Sequence, residues 1–298
     1  RSTRKESSAA SDVYKRQKLN RGIKISKTRS NIILRLSSLL NIGSSARTRL
    51  KTFARLSQSY KTTHSIETDR GIINFRIDSP GSVPQDVDSN RSEPETFEWI
   101  RQSIKENDVL WDIGANIGVF SLYAALEKKN TVLSIEPSAE SYATLNANIR
   151  LNGLDQYIQA LCFAGSKETS LLKLFMKDTS SGASHNSIGS NTNQFGEFEV
   201  NGFQSVIAIK LDDLFEIEGV PSPDHIKLDV DGRELDILEG STLPLPRIQS
   251  ILIEVEGKNL EENLNQIETI TAEAGLEEDV SWRDKGSGRN RLYRRKDN

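Results

Sequence analysis

Asp108-Val109-Leu110-Trp111-Asp112-Ile113-Gly114-Ala115-Asn116-Ile117-Gly118-Val119-Phe120 reads as a short buried strand, Val109 to Ile113, that stops in a glycine-containing turn and runs directly into an apolar helix. A strand, a turn and a helix start in that order bring free backbone N–H groups and the positive end of a helix dipole to one point above a sheet edge. Asp112 stands at the end of the strand, just before the turn. The element is therefore expected to hold a small polar ligand by its charged or hydroxyl groups.

Downstream the same pattern repeats. Thr131 to Glu136 is a second apolar strand ended by Glu136-Pro137-Ser138, Ala139 to Leu151 a helix closed by Asn152-Gly153, and Tyr157 to Phe163 a third strand. Asp224 to Val230 and Ile248 to Val255 read as a fourth and a fifth strand, followed by helices over Gly232 to Gly240 and Leu260 to Ala274. Strands alternating with helices of about ten residues argue for right-handed βαβ units and a mostly parallel sheet covered on both faces. The fold expected is α/β, Rossmann-like and doubly wound. Two departures are expected: an inserted β-hairpin after the third strand, from Ser170–Lys177 and Phe203–Lys210 flanking a polar loop over Asp178–Asn201, and an antiparallel C-terminal pair around Lys285-Gly-Ser-Gly.

Upstream, His64 to Ile77 carries an Asp69-Arg70-Gly71 turn between two β-rich runs and reads as a hairpin. Pro80 to Ser92 is a turn-rich loop, and Ser92-Glu93-Pro94-Glu95 opens a helix with Ser92 as N-cap. Residues 1–61 form a basic extension: sixteen Lys and Arg against two acids give it +14, and with −3 for the whole chain the remainder carries −17. Ile32 to Leu40 and Ala46 to Leu56 are short helix candidates there. Ser11 to Gln17 looks like translated adapter sequence, so residues 1–17 are left out of the fold. Few aromatic residues interleave the basic ones, so a solvated tail is expected and no specific nucleic-acid partner. No apolar run is long enough to cross a bilayer. The single cysteine, Cys162, rules out an internal disulfide and a cysteine-built zinc site, which suits a cytoplasmic protein. The domain expected to carry function is 62–298.

In an open parallel sheet, ligands bind beyond the carboxyl ends of the strands. Those ends supply Asp112 with Gly114, Glu136, Ala164-Gly165 and Asp229. A nicotinamide dinucleotide would call for G-x-G-x-x-G, but Gly114-Ala115-Asn116-Ile117-Gly118 lacks the middle glycine, and Asp112 would repel a pyrophosphate. Asp112 instead suits a ligand with an ammonium, and Glu136, about twenty residues on, is spaced to accept both hydroxyls of a ribose. S-adenosylmethionine carries both groups. The rival readings are a nicotinamide-dependent enzyme and an inactive binding protein on the same fold.

From Glu93 to Glu254 the chain resembles the FkbM-family methyltransferases, within the class I S-adenosylmethionine-dependent enzymes. The likeness rests on Glu93-Pro-Glu-Thr, Trp111-Asp-Ile-Gly-Ala-Asn-Ile-Gly118, Ile135-Glu-Pro-Ser, Asn148 with Asn152-Gly153-Leu154, Ser181-Gly-Ala-Ser-His185, Leu211-Asp-Asp-Leu, His225-Ile-Lys-Leu-Asp-Val-Asp-Gly-Arg-Glu-Leu235, Ile237-Leu-Glu-Gly and Ser250-Ile-Leu-Ile-Glu-Val, in that order. The resemblance implies methyl transfer to a hydroxyl of a sugar, glycolipid or natural product, so the partner expected is a small-molecule or glycan acceptor.

On that reading the cofactor cradle comprises Asp112, Gly114, Asn116, Gly118, Glu136, Pro137, Ala164 and Gly165. Asp112 and Gly114 would face the methionine end, Glu136 the ribose, and Ala164-Gly165 the adenine. A weakly acidic hydroxyl loses its proton as it attacks, so a positioned base is needed. Asp229 is the first candidate and His185, in the polar loop, the second. Asp231 and Glu234 have an alternative reading as caps of the following helix, and His64 and His225 read as structural. Asp212-Asp213 is expected to cap a short helix at Leu214 rather than bind a metal, and Trp111 to be core.

Overall fold

The computed structural model describes residues 45–59, 62–84, 93–126 and 130–296. The expected helix over Ile32–Leu40, the Ser92 N-cap and most of the loop before it lie outside these residues. The chain divides into two compact units, Arg1–Tyr60 and Lys61–Asn298. In the first, α1 spans Ala46–Ser59. Everything that follows belongs to the second.

That unit opens with the expected hairpin, of β1 (Thr62–Thr68) and β2 (Gly71–Ile77), and His64 lies within its first strand. The hairpin is tied to the body by amides. Asn148 Oδ1 accepts from Arg76 N at 2.8 Å, and Asn152 Oδ1 accepts from Asn74 N at 2.8 Å. Two asparagines four apart on one helix face thus stand in for a neighbouring strand. Helix α2 (Pro94–Ser103) has Glu93, not Ser92, at its N-cap, with Pro94 in its first turn.

The central sheet has seven strands in the order β14-β15-β13-β12-β3-β4-β5. The parallel ones are β3 (Val109–Ile113), β4 (Thr131–Ile135), β5 (Ile158–Leu161), β12 (His225–Leu228) and β13 (Ser250–Glu254). Antiparallel β15 (Asn290–Arg295) and β14 (Leu276–Glu278) complete one edge, the C-terminal pair expected from the Lys285 turn. Helices α3 (Val119–Leu126), α4 (Ala139–Leu151), α6 (Glu234–Glu239) and α7 (Leu260–Glu273) connect the strands. This is the doubly wound, mostly parallel α/β arrangement expected. Strand alternation builds a core on each face: Leu110, Val132 and Leu252 on one, and Trp111, Leu133, Ile226 and Ile251 on the other. Trp111 is fully buried and donates its indole N–H to Pro221 O, as its core reading required. His225 is also buried, between Ser250 and Asp108.

The inserted hairpin grows into a sheet of its own. It has the order β6-β11-β7-β8, from Ala164–Ser166 (β6), Ser170–Met176 (β7), Ser187–Ile188 (β8) and Gly202–Lys210 (β11), around a small core of Leu174, Met176 and Val206. Two further short strands, β9 (Thr192–Asn193) and β10 (Gly196–Glu197), pair within the connecting loop. Helix α5 (Leu211–Phe215) follows β11. Asp212 takes Thr242 Oγ1 and Leu243 N at 2.7 Å each, so it fastens the loop after α6 rather than merely capping α5. Among the described residues no helix is long and apolar enough to cross a membrane.

Register places the site. Ile113 pairs with Ile135 of β4 and with Leu228 of β12, so Gly114, Glu136 and Asp229 emerge side by side at one edge. Gly114 has φ +87°, and a Cβ there would lie 1.7 Å from the Asp229 carbonyl oxygen. On the same strands Lys227 lies opposite Asp112 and is 2 % exposed. Its Nζ donates to Asp229 Oδ2 at 2.7 Å and sits 4.7 Å from the centre of the Phe120 ring.

Two stability outcomes follow from these contacts. Gly114→Ala should cost at least about 3 kcal/mol in urea denaturation, because strain at positive φ adds to a backbone clash. A loss below about 1 kcal/mol would mean that the two turns are not packed this closely. Lys227→Met should cost about 3–5 kcal/mol, since it leaves carboxylates buried without their cation. An unchanged denaturation midpoint would show that the cluster is held otherwise.

Candidate functional site

The strand ends border a cavity of about 400 Å³, within the roughly 300–1,000 Å³ range of small-molecule sites. Gly114, Asn116, Glu136, Pro137, Ala164, Gly165, His185 and Asp229 all line it, so most of the expected residues meet in one place. Gly118 stands behind the wall. Its φ is +91°, and a Cβ there would be 2.4 Å from Leu145 Cδ1, so its role is to let α3 approach α4.

The turn after β3 differs from expectation in one important respect. Its N–H groups are not free. Gly114 N and Ala115 N both donate to Ile135 O, at 2.9 and 3.0 Å, Asn116 N donates to Glu136 Oε2 at 2.9 Å, and Gly118 N to Ala115 O at 2.8 Å. What this edge offers a ligand is acceptors. Glu136 is the principal one, its Oε2 steadied by Asn116 N and its Oε1 by Ser138 N at 2.8 Å. Each oxygen retains a second lone pair. Burial pushes its carboxyl up to about 7, against the pull of those two amides. Asn116, at φ +50°, leaves its buried Oδ1 without a hydrogen-bond partner among the described residues. A ligand carrying hydroxyls and an ammonium would satisfy such a donor-poor wall; a pyrophosphate would not.

Asp112 is placed differently from the sequence reading. It is 1 % exposed and absent from the cavity wall, because alternation turns it onto the covered face of the sheet beside Lys227. Its Oδ2 accepts from Ser121 Oγ, which in turn accepts from Ser134 Oγ at 2.7 Å. Burial raises its carboxyl despite Lys227. It cannot reach a ligand's ammonium from there. Glu93 and Glu254, which the strand-end reading passed over, do line the cavity. Both stand in motifs of the family resemblance, Glu93-Pro-Glu-Thr and Ser250-Ile-Leu-Ile-Glu-Val, and that was the available signal.

Asp229 is likewise revised as first-choice base. Burial alone would raise its carboxyl, but Lys227, a hydrogen bond from Glu254 and Arg289 hold it below the usual carboxylate range. Glu254 is pushed up by burial and by the Asp229 charge. Glu254 also meets Arg289 Nη1 at 2.7 Å. A carboxylate so well satisfied is a weak proton acceptor.

His185 has the better geometry. Asp231 Oδ2 accepts from its backbone N at 2.6 Å, and Asp231 Oδ1 accepts from its Nδ1 at 3.1 Å. That directs the proton on the ring to Nδ1 and leaves Nε2 to receive another. The Asp231 hydrogen bond raises the imidazole above its ordinary pKa, outweighing burial. Both residues sit at positive φ, +63° and +57°, a strained conformation for non-glycine residues held by this mutual contact. Asp231 is therefore a partner of His185, not a helix cap. Glu234 does close the turn, its Oε1 accepting from Val230 N and Gly232 N at 3.3 and 3.1 Å.

The Ser181-Gly-Ala-Ser-His185 segment is fixed from below. Ser181 O accepts from Ser79 Oγ at 2.5 Å, Ser181 Oγ bonds Thr144 Oγ1 at 2.7 Å, and Gly182 N donates to Ser141 Oγ at 3.0 Å. A Cβ on Gly182 would lie 2.2 Å from Gly81 O. The loop that carries His185 is thus anchored to α4 and to the turn after β2.

Known proteins bear on this arrangement. The family model for the Methyltransferase FkbM domain matches residues 112–277, more than half of the chain. The hexuronic acid methyltransferase AglP of Haloferax volcanii is 25 % identical over 166 residues, which cover 55 % of this chain and 63 % of that protein. Methyltransferase 1 of Beauveria bassiana is 26 % identical over 147 residues, covering 45 % of this chain and 59 % of that protein. The matched regions span less than two thirds of either relative. Among solved structures, TYW2 of M. jannaschii in complex with AdoMet is 16 % identical, with 73 % of this chain and 74 % of that chain covered and a TM-score of 0.39. With more than half of its length matched, the chain belongs to the FkbM methyltransferase-domain family, whose methyl donor is S-adenosylmethionine.

Proposed function

We propose that residues 62–298 form an S-adenosylmethionine-dependent O-methyltransferase acting on a hydroxyl of a sugar or a comparable polyol. The observation that carries this is the meeting, in one cavity, of an acceptor-rich strand edge around Glu136 with the His185–Asp231 pair. The activity of AglP on a hexuronic acid agrees with a sugar acceptor.

Bound S-adenosylmethionine supplies a methyl group activated by a sulfonium. Glu136 would accept the two ribose hydroxyls, Asn116 would border them, and Ala164-Gly165 would lie along the adenine. With Asp112 turned away, Glu93 and Asp229 are carboxylates of the lining that would face an ammonium. His185 Nε2 would take the proton of the acceptor hydroxyl as its oxygen forms the bond to the methyl carbon and the C–S bond pair returns to sulfur. Asp231 would stabilise the imidazolium that results. Positioning supplies much of the rest, because the displacement is in-line.

Calorimetry with S-adenosylhomocysteine should give a measurable binding heat, stronger above pH 7 where Glu136 is ionised. Glu136→Ala should weaken binding by about 10- to 100-fold, the worth of hydrogen bonds to a charged acceptor. Wild-type affinity in that variant would remove Glu136 from the donor site. Turnover, followed with a labelled methyl donor against a metabolite extract, should fall as pH drops through a value above 6.5, because the base must be neutral and Asp231 holds its pKa up. Asp231→Asn should move that limb to lower pH. His185→Gln should slow transfer about 10²–10⁴-fold while leaving S-adenosylhomocysteine affinity intact. Unchanged turnover in His185→Gln would leave the site without this base.

A further inference from the structure

A second cavity, of about 440 Å³, lies beside the first, and Arg233 and Glu256 belong to the walls of both. The partition between them centres on Gln194, in the β9–β10 turn. Its Nε2 donates to Asp231 Oδ1 at 3.3 Å and to Glu256 Oε1 at 3.2 Å. It is wedged between two backbones: a Cβ on Gly232 would lie 3.0 Å from Gln194 Cβ, and one on Gly257 would lie 2.5 Å from Gln194 O. Both glycines have positive φ, +97° and +105°. Gln194 is therefore placed by construction, in contact with the carboxylate that holds His185. Its Oε1 is buried against Gly232, and among the described residues nothing donates to it.

The rest of the second cavity is rich in amides and hydroxyls. Thr192, Asn193 and Asn263 line it, with Val255 and Ile267 as an apolar floor. Its charges nearly cancel. Arg233 is paired with Asp236 at 2.6 Å, Glu234 is occupied by backbone amides, and Lys258 stands at the exposed side. Such a lining suits a neutral ring with several hydroxyls better than an anion or an apolar group.

We propose that this second cavity is a subsite for the sugar unit next to the one that is methylated, so that the acceptor is a disaccharide or longer glycan rather than a free monosaccharide. The inference rests on the sugar-acceptor reading above. Hydroxyls of the second unit meet Thr192, Asn193 and Asn263, and the glycosidic link crosses at Arg233 and Glu256. Gln194 then couples occupancy of the subsite to the Asp231–His185 pair.

The test titrates the full chain, loaded with S-adenosylhomocysteine, with methyl glycosides of hexoses and hexuronates and with disaccharides built from them. At least one disaccharide should bind about tenfold or more tightly than either component, the worth of one or two added hydrogen bonds. Asn263→Leu, which fills the cavity from α7, should abolish that gain, and Lys258→Ala at the open side should reduce it. S-adenosylhomocysteine titration of each variant reports whether it is folded. Disaccharides that bind no better than their components, no binding of any saccharide, or a gain that survives Asn263→Leu would each overturn the subsite. Failure of the methyl-donor reading is distinct: it appears as no heat with S-adenosylhomocysteine before any saccharide is added.

Discussion

The buried ammonium of Lys227 governs the charge state of this whole edge of the sheet. It is held on the central strand β12, where burial alone would strip it of its proton, and Asp229, Glu93 and Asp112 keep it charged. A cation in that position cannot be removed without stranding its acids. It also decides what those acids can do. Asp229, hydrogen-bonded to Lys227, is held below the usual carboxylate range, while burial and the Asp229 charge push Glu254 up. Asp229 is therefore a weak acceptor for a substrate's proton. Its charge at the cavity wall suits a cationic ligand.

The same edge spends its backbone donors internally. In a phosphate-binding turn the amides after the first strand point outward; here they close onto Ile135 O and Glu136. A strand-turn-helix with glycines is thus compatible with two opposite electrostatic characters. The choice between them lies in Glu136, which consumes one amide itself and turns the edge into an acceptor surface. The nicotinamide alternative fails on that physical ground as well as on family membership.

What was legible in the sequence follows from periodicity and register. In a parallel sheet the strand ends align, so Gly114, Glu136 and Asp229 could be placed together from their positions alone. Three things could not be read that way. The direction of the Asp112 carboxylate depends on which face of the strand is covered by α3, through Ser121. The bond between His185 and Asp231 joins residues 46 apart, both in left-handed conformations that no propensity predicts. The insertion, read as one hairpin, gained β6 and β8 because its partners are shorter than any periodic signal. Asn148 and Asn152 carried a motif signal whose meaning is mechanical: they edge the β2 strand.

These points separate the site into two electrostatic regions with different tasks. Around Lys227 the acids cluster on one buried cation, which favours holding a charge. Around His185 a single carboxylate, Asp231, sets the proton affinity of a half-buried imidazole, which favours moving one. Glu256 and Gln194 stand at the join, Glu256 reaching Arg289 of the first region at 3.5 Å and Gln194 reaching Asp231 of the second. The proposed base, His185, is carried on a loop rather than a strand end, and that loop is pinned at Ser181 and Gly182 but continues into the β8–β10 segment that also forms the second cavity. On the proposed function, donor binding falls to the rigid sheet. Acceptor binding and proton removal then fall to one insertion, in which a change of loop sequence can alter the acceptor without disturbing the methyl-donor cradle.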